Sequence, residues 1–210
     1  PWSDHGAAMV PLVVQNENKT PFDGDPRNAL AAVLKRFAAL GLRPVPAFEL
    51  EFYLADPKAV DGALSNPLTG ASVIREGVLS LDDLDDFDAI ITDIYDGCKI
   101  QSVAADAAIS ESGIGQFEVN LRHSEDAMKV ADDAMLFKNV VKSVARKHGL
   151  AASFMAKPFA QRPGSGLHMH FSILDGAGAN IFDNGDADGS AMLLYAVAGV
   201  LAAMPESMLL

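Results

Sequence analysis

Residues 48–54 read FELEFYL, an alternation that fits a β-strand and no helix. Phe48, Leu50, Phe52 and Leu54 fall on one face, and Glu49, Glu51 and Tyr53 on the other. The apolar face demands a core to pack on. The opposite face then carries two carboxylates whose Cα atoms lie roughly 6.5 Å apart, so that each can serve one of two neighbouring cations. An unpaired carboxylate in so apolar a stretch costs several kcal/mol, and the pair therefore calls for a compensating charge.

Two further segments repeat this character. Glu111 and Glu118 flank SGIGQF, in which Gly113 and Gly115 allow a sharp turn that lets both carboxylates reach one ion. Gln116 adds an uncharged hydrogen-bonding group beside them. His168 and His170 share one face of the strand LHMHFSIL with Ser172, while Leu167, Met169, Phe171 and Ile173 point the other way. RPGSG before them sets Gly164 and Gly166 where bare backbone permits close approach of a ligand, although the sequence has no GxxxxGK[ST] phosphate loop. Taken singly, each segment has a plainer reading: a solvated strand face, a hairpin with Glu118 on its wet side, or histidines satisfied without a ligand. Lys157 either meets a phosphate or caps a strand end. Together, four carboxylates with one or two imidazoles make the set that a pair of Mg2+ or Mn2+ ions takes, whereas a lone zinc wants fewer carboxylates.

The rest of the chain supplies helices and turns. Asp25 as N-cap, Pro26 at the first helical position, Leu30, Val33, Leu34 and Phe37 at helical spacing and Gly41 as the stop define one helix. Met9 to Val14 reads as a short strand, and Asp56 to Gly70 as an exposed, turn-rich excursion. Leu81 to Gln101 reads as a single helix with Leu84, Phe87, Ile91, Ile94 and Tyr95 along one stripe. The aspartates at its start, Asp82, Asp83, Asp85, Asp86 and Asp88, read as a solvated face favoured by the helix dipole. Strands are expected at 102–110, 116–121, 151–155 and 167–174, with a helix from a Ser124 cap to about His148 and a last one over 190–204. Met128 and Met135 are expected in the core. Without an internal repeat, this order fits one α/β-type unit whose helices cover one side of a curved sheet and whose other side holds the site.

An apolar fraction of 50% over 210 residues supports a substantial core. The net charge of -12, with no Lys/Arg cluster, excludes general binding to nucleic acid or anionic membrane. The apolar runs fall short of the ~18 to 20 residues that span a bilayer. A single cysteine, Cys98, cannot form an internal disulfide, and PWSDHGAAMV is no secretory leader, which together fit the cytoplasm. The opening at Pro1 and the stop at Leu210 inside an apolar run suggest a fragment.

The three segments, in this order, resemble the glutamine synthetase family. FELEFYL resembles its first metal strand, ESGIGQFEVNL its second motif, and FMAKPFAQRPGSGLHMHFS the signature before its ATP region. The similarity runs through DPRNALAAVLKRFAALGL to the last helix and so covers nearly the whole chain. It implies an α+β fold: a curved, largely antiparallel sheet forming a partial barrel, with helices packed outside. Residues 9–210 would be the N-terminal part of a catalytic domain whose C-terminal part is absent, and 1–8 the tail of a preceding β-grasp domain or linker. The implied activity is that of an ATP-dependent ligase, which phosphorylates the γ-carboxylate of glutamate and lets ammonia or an amine displace the phosphate, with two Mg2+ or Mn2+ ions per site. By motif position, Glu51, Glu111 and Glu118 hold the ion on the glutamate side, while Glu49 and His168 hold the ion that bridges the ATP phosphates. His170 and Ser172 line the nucleotide, and Gly164 approaches glutamate through its backbone.

One departure bears on the substrate. Pro163 stands where the family usually has Asn before GSG, and with MAKPFAQRPGSGLHMH it is more similar to the γ-glutamylpolyamine, or γ-glutamylputrescine, synthetase branch, which joins glutamate to an amine such as putrescine. The alternatives are ammonia-using glutamine synthesis, a non-catalytic structural or regulatory relative, and a divalent-metal hydrolase. In the family, the arginines that grip ATP and glutamate, a further glutamate ligand and the flap glutamate come later than Leu210. No catalytic residue is therefore assigned within this chain, which is not expected to act alone. The resemblance also implies a ring-shaped, dodecamer-like homo-oligomer.

Overall fold

The computed structural model describes residues 8–58, 65–70 and 77–207. The chain divides into two compact units, Pro1–Leu12 with Ala47–Ser124 and Met128–His170 in one, and Val13–Pro46 with Glu125–Ala127 and Phe171–Leu210 in the other.

The first unit is organised by the alternating strand. β1 (Arg43–Ala55) pairs antiparallel with β3 (Gln116–Leu121) on one edge and β4 (Ala151–Ser153) on the other, and β2 (Ala105–Ser110) pairs antiparallel with β3. The order is β2-β3-β1-β4, with β5 (Leu167–Leu174) also paired to β1. This is an open antiparallel sheet in an α+β fold, as the family resemblance implied, and not the α/β-type unit that element order alone suggested. Leu50, Phe52 and Leu54 are at most 1% exposed. Each contributes about 1.5 to 3 kcal/mol by leaving water.

Helices cover that face. α3 (Asp88–Ile100) brings Ile90, Ile91, Ile94 and Cys98 to the core, and α4 (Ala127–Lys147) brings Phe137, Val140, Val141 and Val144. Phe52 meets Phe137 edge-on at 6.1 Å, and Phe87 meets Phe117 at 4.9 Å. Burial leaves the Cys98 thiol with a pKa pushed up to about 12, so it is an inert core group.

Phe87 also explains a difference from the expected single helix at 81–101. Its backbone (φ -102°, ψ 9°) closes α2 (Leu81–Asp86) and opens α3, because its ring is drawn inward at 1% exposure. Ser80 caps the short α2 by accepting from Asp83 N at 3.2 Å. Leu84 and Tyr95 are only half-buried. α4 starts at Ala127, three residues after the expected Ser124 cap, and Gly149 (φ 75°) follows its end at Lys147. The strands expected at 102–110 and 151–155 shorten to β2 and β4. Met135 is 45% exposed and not in the core. The excursion at 56–70 is not wholly exposed, since Asn66 is buried and donates to Asp86 Oδ2 at 2.7 Å; residues 59–64 lie outside the described residues, as do 1–7 of the expected tail.

In the second unit, α1 (Pro26–Ala39) begins as expected: Asp25 Oδ1 accepts from Arg27 N at 2.9 Å, and Gly41 (φ 69°) ends the helix. The strand expected at 9–14 does not form. Val14 N donates instead to Asp25 Oδ2 at 2.7 Å, and Gln15 makes an isolated bridge with Pro21. α5 (Ala191–Ser207) is capped by Ser190, whose Oγ accepts from Leu193 N and donates to Ile181 O at 2.6 Å. Neither α1 nor α5 buries a residue, so the stripe expected from Leu30 to Phe37 is not a core stripe here. The apolar face expected for β5 is likewise exposed at Leu167 and Met169, both 56%. Of that face only Ile173 is buried.

Candidate metal centre

The pairing register sets Glu51 directly opposite Glu118 and Glu49 opposite Asn120. Two like charges facing across a strand pair repel one another, so this register is costly without a positive partner. The turn between β2 and β3 adds a third carboxylate. Gly115 (φ 69°) makes that turn possible, and a Cβ there would stand 2.5 Å from the Leu54 carbonyl oxygen. Leu54 N donates to Gly115 O at 2.7 Å, which pins the turn to β1 and holds Glu111 beside the pair.

One ligand atom from each of Glu51, Glu111 and Glu118 lies within 4.8 Å of the others, and the same holds for Glu49, Glu118 and His168. Glu118 belongs to both groups. All four carboxylates expected from the sequence are thus brought together, with His168. His170 joins neither group, but its Nε2 lies 3.0 Å from Glu49 Oε1, while His168 Nδ1 lies 3.1 Å from Glu49 Oε2. Ser172 follows His170 by two residues on β5 and is half-buried.

The electrostatics differ between the carboxylates. Burial, then the charge of Glu51, raises the Glu111 pKa above its ordinary value. Burial, then the charges of Glu49, Glu111 and Glu51, raises that of Glu118. The His170 hydrogen bond, followed by that from His168, holds Glu49 below the usual carboxylate range in spite of burial. Both raised values signal an unneutralised cluster, which a cation would relieve. Space for one exists: a Cβ on Gly166 would stand 2.7 Å from Glu51 Oε1 and 3.1 Å from His168 Nε2. Its absence leaves room between two ligand atoms. Hard oxygen donors with one imidazole fit Mg2+ or Mn2+.

Four donors bond carbonyls of the loop between residues 162 and 166. Lys157 Nζ donates to Arg162 O, Tyr53 OH to Pro163 O at 2.9 Å, Gln116 Nε2 to Gly164 O at 2.9 Å and Glu51 N to Gly166 O at 3.2 Å. Lys157 therefore closes a loop and does not cap a strand. Gly164 itself is exposed. The aspartates of α2 and its neighbourhood form no ligand group among the described residues. The sequence reading did not foresee that Glu118 would serve both groups or that Tyr53 would clamp the loop. The signal for Tyr53 was present, since the alternation already placed it on the face of Glu49 and Glu51.

A family model described as glutamine synthetase, catalytic domain, matches residues 23–210. The chain belongs to the glutamine synthetase family. It is 37% identical over 203 residues to gamma-glutamylputrescine synthetase PuuA of Escherichia coli (strain K12), covering 95% of this chain and 43% of that protein. It is 32% identical over 191 residues to glutamate–isopropylamine ligase of Pseudomonas sp, covering 90% of this chain and 41% of that one. Among solved structures, one titled "GmaS/ADP complex-Conformation 1" matches with a TM-score of 0.77 at 32% identity, covering 89% of this chain and 42% of the other. The chain thus spans less than half the length of these relatives.

Proposed function

We propose that the whole protein is an ATP-dependent ligase that forms a γ-glutamyl amide from glutamate and an alkylamine such as putrescine. The observation that carries this reading is the pair of three-ligand groups joined at Glu118. Glu51, Glu111 and Glu118 would hold one divalent cation, and Glu49 and His168, with Glu118, would hold the second. The two ions, when bound, neutralise charge on the phosphoryl oxygens of the reaction. A γ-carboxylate oxygen of glutamate attacks the γ-phosphorus of ATP and ADP leaves; the amine nitrogen then attacks the acyl carbon, loses a proton, and phosphate departs.

Within this chain the residues position and orient. His170 and His168 fix the Glu49 carboxylate from both sides, and Gly166 leaves the space between Glu51 and His168 open. Gly164 offers exposed backbone to glutamate, and His170 and Ser172 line the nucleotide. The 9–210 segment is read as the N-terminal part of the catalytic domain. A ring-shaped homo-oligomer in the cytoplasm completes the proposal. An alkylamine acceptor is supported by Pro163 before GSG and by the names of the two relatives above. Ammonia is the second reading, because glutamine synthetases such as that of Mycobacterium bovis match at 32% identity.

The test is ADP release by the intact protein with Mg2+, glutamate and, in separate reactions, putrescine, isopropylamine or ammonia. Faster turnover with an alkylamine supports the first reading and faster turnover with ammonia the second. Absence of turnover with every amine would remove both.

A further inference from the structure

Gln116 is a buried, uncharged side chain that touches a proposed metal ligand, the loop at Gly164 and the turn between β2 and β3 together. It is 2% exposed. Its Nε2 donates to Glu51 Oε2 at 3.0 Å and to Gly164 O at 2.9 Å, while its Oε1 accepts from Gly113 N at 3.0 Å. These partners determine which way the amide faces. The flipped orientation would set an oxygen against a carboxylate and a carbonyl and an N–H against an N–H, losing all three bonds in a buried place. A Cβ on Gly113 would stand 2.8 Å from Gln116 Oε1 and 2.1 Å from Tyr53 OH, so the turn has closed onto this amide as far as a glycine allows.

We propose that Gln116 is a positioning residue that couples the Glu51 side of the metal centre to the Gly164 backbone. Its hydrogen bond occupies one oxygen of Glu51 and leaves Oε1, the atom nearest the space beside Gly166, for the cation. The same amide nitrogen fixes the Gly164 carbonyl, so a shift of the carboxylate and a shift of the loop are no longer independent. Tyr53 OH donates to the preceding carbonyl, that of Pro163, at 2.9 Å.

The metal half of this inference stands without the ligase reading, and the substrate half rests on it. The experiment titrates the intact protein with Mn2+ and counts free ion by electron paramagnetic resonance, without substrates. Gln116→Met keeps the length and bulk of the side chain and removes its hydrogen bonds. It should weaken the Glu51, Glu111 and Glu118 site by about 10 to 100-fold, the usual effect of losing the partner that orients a ligand. Tyr53→Phe removes the donor to Pro163 O and should weaken Mn2+ affinity less than Gln116→Met does. If Gln116→Met does not fold, as read by circular dichroism, Gln116→Asn keeps an amide too short for three partners and should weaken Mn2+ binding in the same direction. In glutamate-dependent ADP release, Gln116→Met should raise the KM for glutamate more than that for ATP. Unchanged Mn2+ affinity in a folded Gln116 variant would overturn the proposal, because a residue that only fills space is replaced by Met without effect. Lost Mn2+ affinity in a protein whose wild type turns over no amine would sustain the role of Gln116 and remove the ligase reading instead.

Discussion

Glu118 shows how much one residue can be asked to do. It faces Glu51 across the strand pair, lies in both ligand groups and is 8% exposed, and the charges of Glu49, Glu111 and Glu51 all act on it. Glu118→Gln should therefore weaken both Mn2+ sites, by about tenfold or more each, whereas Glu51→Gln should weaken chiefly one. Two-site fits to Mn2+ titrations distinguish the cases, and a Glu118 variant that loses only one site would exclude the shared position. The pH dependence follows from the directions of the shifts. Glu111 and Glu118 are raised, so above the unfolded carboxylate value of 4.5 protons compete with the ion, and affinity should climb as pH rises through their folded values. In the metal-free protein the same groups cost stability when ionised, and that cost is relieved as pH falls through the folded values toward 4.5. Glu49 is lowered, so its favourable contribution is lost only below 4.5, outside that window. The residues of this centre were legible because charged side chains in apolar strands need a reason to be there. Their mutual assignment was not legible from alternation alone, because it depends on cross-strand register, which is set by a turn whose pairing no single strand encodes.

At the scale of elements, that turn is the part most exposed to mutation. Gly115→Ala would place a methyl group at 2.5 Å from the Leu54 carbonyl and demand a left-handed backbone of a residue with a Cβ. The expected cost is at least about 2 kcal/mol, read as a fall in the denaturant midpoint with an unchanged slope. A midpoint within error of wild type would show that the turn can slide without losing Leu54. The same reasoning explains which elements were read well from sequence. β1, β3 and α1 carry their own punctuation, in alternation or in a cap and a stop, and they came out at or close to the expected bounds. The break between α2 and α3 was hidden, because Phe87 continues the helical stripe and only its packing on Phe117 shows why the backbone leaves the helix there. Met9–Val14 failed for the opposite reason. Its β-branched composition favours a strand, but Asp25 takes the Val14 N–H that a ladder would need.

At the scale of the molecule, the surface of α5 is at odds with an acidic chain that should repel copies of itself. The net charge is -12, yet Ala191–Ser207 holds one charged side chain, Glu206, and leaves Met192, Leu194, Tyr195, Val197, Val200, Leu201 and Met204 between 47% and 70% exposed. A helix apolar on every side belongs in an interior, and charge repulsion elsewhere protects it poorly because screening confines such fields to about 8 Å at physiological salt. The 210-residue chain alone should therefore self-associate across the micromolar range and bind a dye that reports exposed apolar surface. Leu194→Lys with Leu201→Lys should suppress both signals. Both substitutions belong to the second unit and neither residue is a proposed metal ligand, so Mn2+ affinity should be retained. Sedimentation showing a monomer at every concentration would exclude this self-association.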